Sequence, residues 1–154
     1  MKIISAFLVS FICVQFFASS KSNVVEQTNN SDTTSTIHRT KMKITIGAAV
    51  FTATLNNNAT TTAFKAMLPL TINMSELNGN EKFYYFSTTL PTNASSGGNI
   101  QVGDLMLYGN NCLVLFYEGL NTSYSYTRLG RIDNTSELVA ALGAGSVTVK
   151  FEIQ

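Results

Sequence analysis

The chain has no tryptophan, one histidine, two cysteines and two prolines, and only 12% of its residues are charged. Each shortage removes a class of function. His38 stands alone in a polar tail, so a serine or cysteine nucleophile has no imidazole base, and thiolate and imidazole ligands are too few for a zinc site. No metal and no other cofactor is expected. Cys13 lies in an N-terminal apolar run, which leaves Cys112 without an internal disulfide partner. Cys112 sits within the apolar string CLVLFY and reads as a buried, inert thiol. Residues 41–154 carry seven basic and seven acidic side chains, so no net field draws nucleic acid or an anionic membrane surface.

Paired-carboxylate and phosphate-loop chemistry are equally unsupported. Glu76, Glu81, Asp104 and Glu118 stand near turns at no spacing that singles out an acid/base pair. The string GDLMLYG lacks both the Gly-Lys-Ser/Thr ending and the following helix of a phosphate-binding loop.

The N-terminus reads as an export signal over residues 1–20. Lys2 supplies the basic n-region, Ile3 to Phe17 the apolar h-region, and Ala18-Ser19-Ser20 the small residues at a cleavage site. The apolar run is shorter than the ~20 residues that cross a bilayer and has no basic stop-transfer cluster behind it, so no integral span is expected after cleavage. Phe11 and Ile12 are too large to precede a lipid-modified Cys13, which argues against a membrane lipoprotein. Residues 21–40, rich in Ser, Thr and Asn, cannot bury enough surface to offset their ordering entropy and read as a flexible tether. The mature protein is expected to be exported, secreted or periplasmic, with one domain from 41 to 154. Asn-x-Ser/Thr sequons at Asn29, Asn58, Asn73, Asn93, Asn121 and Asn134 arise readily in so Asn-rich a chain.

What the domain does hold is short strands. Lys43–Ile46 and Val50–Leu55 are expected to pair across Gly47-Ala48. Thr60–Leu68 places Phe64, Met67 and Leu68 at helical spacing before Pro69. Leu70–Met74 and Lys82–Ser87 flank the turn cluster Asn78-Gly79-Asn80, and Pro91–Gly98 reads as a loop. Asp104–Tyr108 and Cys112–Tyr117 form a hairpin apolar on both faces, the pattern of strands covered on two sides or lining a groove. Asn134 and Glu137 have the spacing of a capping box ahead of Leu138, Val139 and Leu142, with Gly143 as the stop. Val147, Val149, Phe151 and Ile153 alternate with polar residues in a final strand. Many short strands and two short helices favour a β-barrel with helical caps.

The strings LPLTINMSELNGNEKFYY, LPTN, IQVGDLMLYGNNCLVLFY and SYSYTRLGRI, in this order and followed by a short helix and a terminal strand, resemble the bacterial cyclophilin-like domain family over nearly all of residues 43–153. The resemblance implies a mainly β, closed cyclophilin-like barrel with two short capping helices, and no assigned biochemical role. Cyclophilins proper carry an arginine beside Phe, Gln and His groups, a tryptophan-containing rim and a string of the Phe-His-Arg kind. This chain has no tryptophan, no His within residues 41–154 and no Phe-His-Arg string, so no catalytic residue is carried over. A prolyl isomerase would need another donor to the proline nitrogen.

Arg128 and Arg131 are the arginines of the domain. On a regular strand, residues three apart face opposite sides, and Arg128 shares parity with Tyr124 and Tyr126. Arg128 therefore reads either as a groove-facing donor or as the partner of Asp104 or Glu118 at a barrel mouth. All six tyrosines fall between Tyr84 and Tyr126. Such clustering suits a ligand groove and equally suits half-buried strand positions. Tyr124, Tyr126 and Arg128 are the ligand-contact candidates, beside a loop expected at Gly119–Ser123. Three functions follow: a noncatalytic module binding a peptide or small apolar ligand, a divergent peptidyl-prolyl isomerase, or a structural or assembly module.

Overall fold

The computed structural model describes residues 39–154; the expected leader and all but the last two residues of the expected tether lie outside them. The described chain is mainly β. Its strands are β1 (Lys41–Ile46), β2 (Ala49–Leu55), β3 (Leu70–Leu77), β4 (Glu81–Tyr85), β5 (Ser95–Ile100), β6 (Asp104–Tyr108), β7 (Cys112–Phe116), β8 (Leu120–Ile132) and β9 (Val147–Ile153). Two short helices accompany them, α1 (Ala59–Lys65) and α2 (Leu138–Leu142). Among the described residues no helix is long and apolar enough to cross a membrane.

The strands follow the order β2-β1-β9-β3-β4-β7-β6-β8, and a further pairing of β2 with β8 closes the ring. Every neighbouring pair is antiparallel, and the tight β1–β2, β3–β4 and β6–β7 hairpins stand where the turn residues predict them. Closure depends on Gly130. A Cβ there would lie 2.5 Å from the Thr54 carbonyl oxygen, so only glycine lets β8 approach β2 closely enough to pair. The N-terminal half of β8 instead pairs with β5, which is thus an added strand outside the ring.

Alternation sorts side chains into two layers. Met42, Ile44, Ile72, Met74, Leu105, Leu107, Leu113, Leu115, Val149 and Phe151 point inward and are all buried in one core. Phe64 of α1 joins that core, meeting Phe86 and Phe151 at ring separations of 6.4 and 6.0 Å. Leu138 and Leu142 of α2 also enter it. Phe64 meets Phe86 just past the end of β4, whereas the segment after α2 meets Lys82 at its start, so the helices close opposite ends.

Three local expectations are corrected. Pro91–Gly98 is not loop throughout: Ser95–Ile100 is β5, a Gly/Ser-rich strand with too few apolar residues to show alternation. Gly119–Ser123 is likewise not an open loop, because β8 begins at Leu120 and pairs with β5. The capping box does not form. Asn134 accepts from the Ser136 backbone N–H at 3.0 Å in a local turn, while Glu137 stands at the helix start with φ of 67° and makes no side-chain cap. The helix with a side-chain N-cap is α1, where Asn58 accepts from the Thr61 N–H at 2.8 Å.

Candidate ligand-binding site

The hairpin that read as apolar on both faces is buried on both faces. Leu105, Leu107, Leu113 and Leu115 belong to the central core, while Met106, Cys112, Val114 and Phe116 form a second apolar layer on the outside of the ring with Ile100 and Tyr126. Strand β5, through Ile100, covers one side of this layer. The rest is open.

Sheet register builds the open part. Tyr85 lies opposite Cys112, Cys112 opposite Tyr108, and Tyr108 opposite Tyr126, so one row crosses β4, β7, β6 and β8. The next row brings Phe83, Val114 and Met106 together. Above them is a cavity of ≈ 440 Å³, within the range of small-molecule sites. The tyrosines of these rows, together with Phe83 and Tyr124, wall it, and Leu77, Asn78, Asn80 and Glu81 form the rim on the β3–β4 side. Tyr108 meets Tyr124 edge-on at 6.1 Å and Tyr126 at 5.4 Å, and Phe116 supports Tyr126 from below at 5.6 Å. Leu77, Tyr85, Tyr108 and Tyr124 are four of the seven large apolar side chains exposed among the described residues. Their gathering at one cavity marks an interaction surface rather than scattered exposure.

Burial shifts three titratable groups that line the cavity. Burial pushes the Cys112 thiol up, and a hydrogen bond to Tyr85 only partly offsets it, as expected of an inert thiol. Burial first, and the Glu81 charge second, push the Tyr126 hydroxyl up to about 12, so it stays protonated at neutral pH. The Glu81 carboxyl is itself raised, by burial and then by the nearby charge of Glu76.

Of the expected contacts, Tyr124 and Tyr126 line this cavity and Arg128 does not. Parity does carry Arg128 onto the outer face with Tyr126. Its guanidinium, however, donates to Asp104 at 3.2 Å and to the Gly97 carbonyl at 2.9 Å, and it lines a separate polar cavity of ≈ 400 Å³. Arg131 reaches the other oxygen of Asp104 at 3.1 Å. The expectation that the two arginines face opposite sides is therefore corrected. Leu105 pairs with Gly130 but Met106 with Arg128, so β8 carries one extra residue at Leu129, and this bulge resets the alternation. Strand β5 fits against the same region because Gly97 has no side chain: a Cβ would lie 2.8 Å from Thr122 Cγ2 and 3.1 Å from the Tyr126 ring. Single-sequence periodicity contains no signal for a bulge. Tyr85, Tyr108, Phe83 and Glu81 carry no local signal as contacts either, because only register brings them together.

Comparison with known proteins now settles the family. The model of the cyclophilin-like family matches residues 44–152. The chain belongs to the cyclophilin-like family. The ring of β8, β2 and their neighbours is thus the cyclophilin-like fold that the resemblance implied. A similar solved structure is the solution structure of a hypothetical protein from Archaeoglobus fulgidus, at 18% identity and a TM-score of 0.52, covering 75% of this chain and 95% of that one. At that identity the likeness speaks to the cyclophilin-like fold alone. No curated protein matches the chain.

On the inner side of β4 the cyclophilin-like core encloses a second polar group. Lys82 is fully buried, pairs with Glu76 at 2.6 Å and donates to the carbonyls of Gly143 and Gly145 at 2.8 and 2.7 Å. The Tyr117 hydroxyl donates to the other Glu76 oxygen at 2.7 Å, and the Lys82 ammonium lies 5.3 Å from the Tyr117 ring. Burial works against the Glu76 charge, but the bonds from Lys82, Tyr117 and the Gly79 N–H outweigh it and hold the carboxyl below its usual range. The donors and acceptors here satisfy one another, so the network is a structural plug joining β3, β4, β7 and the segment after α2.

Proposed function

We propose that this cyclophilin-like domain is a noncatalytic binding module that holds a small ligand or a peptide segment in the outer-face cavity, against Tyr124 and Tyr126. The observation that carries this reading is the row Tyr85, Cys112, Tyr108 and Tyr126, in which exposed Tyr85 and Tyr108 stand beside buried Cys112 and Tyr126 at the floor of one open cavity. Rigid rings on strands offer contact area at low entropic cost. The leader in the sequence supports a place outside the cytoplasm for this activity.

Isomerase activity is the second reading, favoured by the half-exposed Arg128 on the same face of β8. It requires the guanidinium to leave Asp104 and turn toward a bound proline amide. A purely structural role gains from that same ion pair but leaves the cavity without a use. Cis/trans exchange by NMR on an Ala-Pro peptide panel tests the choice. Binding without catalysis predicts shifted resonances for Tyr108, Tyr124 and Tyr126 and unchanged exchange rates. Faster exchange that is lost in Arg128→Ala overturns that reading in favour of an isomerase.

A further inference from the structure

The lining of the tyrosine cavity contains one charged group, and it is the carboxylate of Glu81. Ion pairs among the described residues engage Glu76, Asp104, Asp133 and Glu152, and none engages Glu81. The nearest base in sequence, Lys82, projects to the opposite face and is committed to Glu76 and two carbonyls. Arg128 and Arg131 are likewise committed to Asp104. The rim therefore presents a negative charge with no cation of its own.

The aromatic walls add a second preference. Ring faces carry negative charge and attract cations, most strongly where water is partly excluded. Tyr85, Tyr108 and Tyr124 remain exposed enough to meet a ligand. Carboxylate and tyrosine walls ask for the same occupant.

We propose that the cavity binds a primary alkylammonium group, carried by a small amine or a lysine side chain, with the Glu81 carboxylate as counter-ion and N–H acceptor and the tyrosines as a cation cage. This rests on the reading of the cavity as the binding site and adds the charge and donor character of what enters it. Burial and the Glu76 charge make Glu81 costly to ionise when the cavity is empty, and a bound cation relieves that cost.

The test is an NMR titration of the full chain with butylammonium, 1-butanol, butyrate and tetramethylammonium, matched probes that differ in charge and N–H groups. Butylammonium is expected to shift Glu81, Tyr108 and Tyr124 and to bind about tenfold tighter than 1-butanol. Glu81→Gln is expected to bring it down to the butanol level, and Tyr124→Ala to weaken it without loss of fold. Equal or tighter binding of 1-butanol or butyrate overturns the ammonium inference while leaving a binding module in place. Tetramethylammonium binding as tightly as butylammonium overturns the requirement for an N–H donor. Shifts from none of the four probes overturn both readings. Nα-acetyl-lysine methylamide separates the sources: binding tighter than butylammonium supports a lysine side chain, and weaker binding supports a free amine.

Discussion

The two faces of β4, β7 and β6 are built from the same residue types yet finish differently. Inside the ring, Leu105, Leu107, Leu113 and Leu115 meet α1, α2 and the far strands, and the polar residues that enter, Lys82, Glu76 and Tyr117, complete one another. Outside, Met106, Val114, Phe116 and Tyr126 are also buried, but β5 covers only part of their layer, and Glu81 on the cavity rim has no ion-pair partner among the described residues. A closed polar group stabilises the fold. An open one is available to a ligand, which is how two carboxylates on neighbouring strands acquire opposite roles.

Breaking the inner face has the largest expected effect. Phe64→Ala removes a fully buried ring from between Phe86 and Phe151 and should cost about 3–5 kcal/mol, read as a lower denaturation midpoint. Next, Lys82→Met keeps the side-chain length but strips Glu76 and the carbonyls of Gly143 and Gly145 of their donor, at a cost of about 3 kcal/mol. At the join between the faces, Gly97→Ala sets a methyl group against Thr122 and the Tyr126 ring. Strand β5 must shift, costing about 1–3 kcal/mol and speeding amide exchange in β5 and the half of β8 paired with it.

The carboxylates sharpen the contrast with opposite signs. Glu76 is held below its usual range, so the stability it contributes is full above the unfolded value and is lost as pH falls through the folded one. Glu81 is raised, so its contribution is full below the unfolded value and is lost as pH rises through the folded one. Urea midpoints followed from acid to neutral pH should therefore show Glu76→Gln flattening the acid limb. Glu81→Gln should be more stable than the parent at neutral pH and equal to it in acid. The smallest change in stability belongs to Tyr124→Ala, within about 0.5 kcal/mol for so exposed a ring, although it is expected to lose most ligand affinity.

Much of this molecule was legible from local pattern. Alternation in 147–153, the glycine turns of the hairpins and Phe64 before Pro69 report directly on period and backbone geometry, which depend on near neighbours in the chain. Two-sided apolarity in CLVLFY announced a strand covered on both sides or lining a groove, and Cys112–Phe116 is buried on both faces with Cys112 and Val114 beneath the cavity. Strand β5 escaped because SSGGNI owes its conformation to pairing with β8 and its glycines to the ring above Gly97, not to any apolar period of its own. Tyr124 and Tyr126 were identifiable as a clustered pair, but grouping Arg128 with them followed strand parity alone. Parity places a side chain on a face and says nothing of whether Asp104 waits nearby.

By itself, then, the amino-acid sequence determined the mainly β class and the family, since short-range periodicity and the order of local motifs are properties of adjacent residues. Tertiary structure alone decided that Leu129 bulges and turns both arginines onto Asp104, that Lys82 is sealed while its neighbour Glu81 is open, and that Tyr85, Tyr108 and Tyr126 share one cavity. Those facts depend on register between strands distant in sequence, where a shift of one residue exchanges the faces of a sheet.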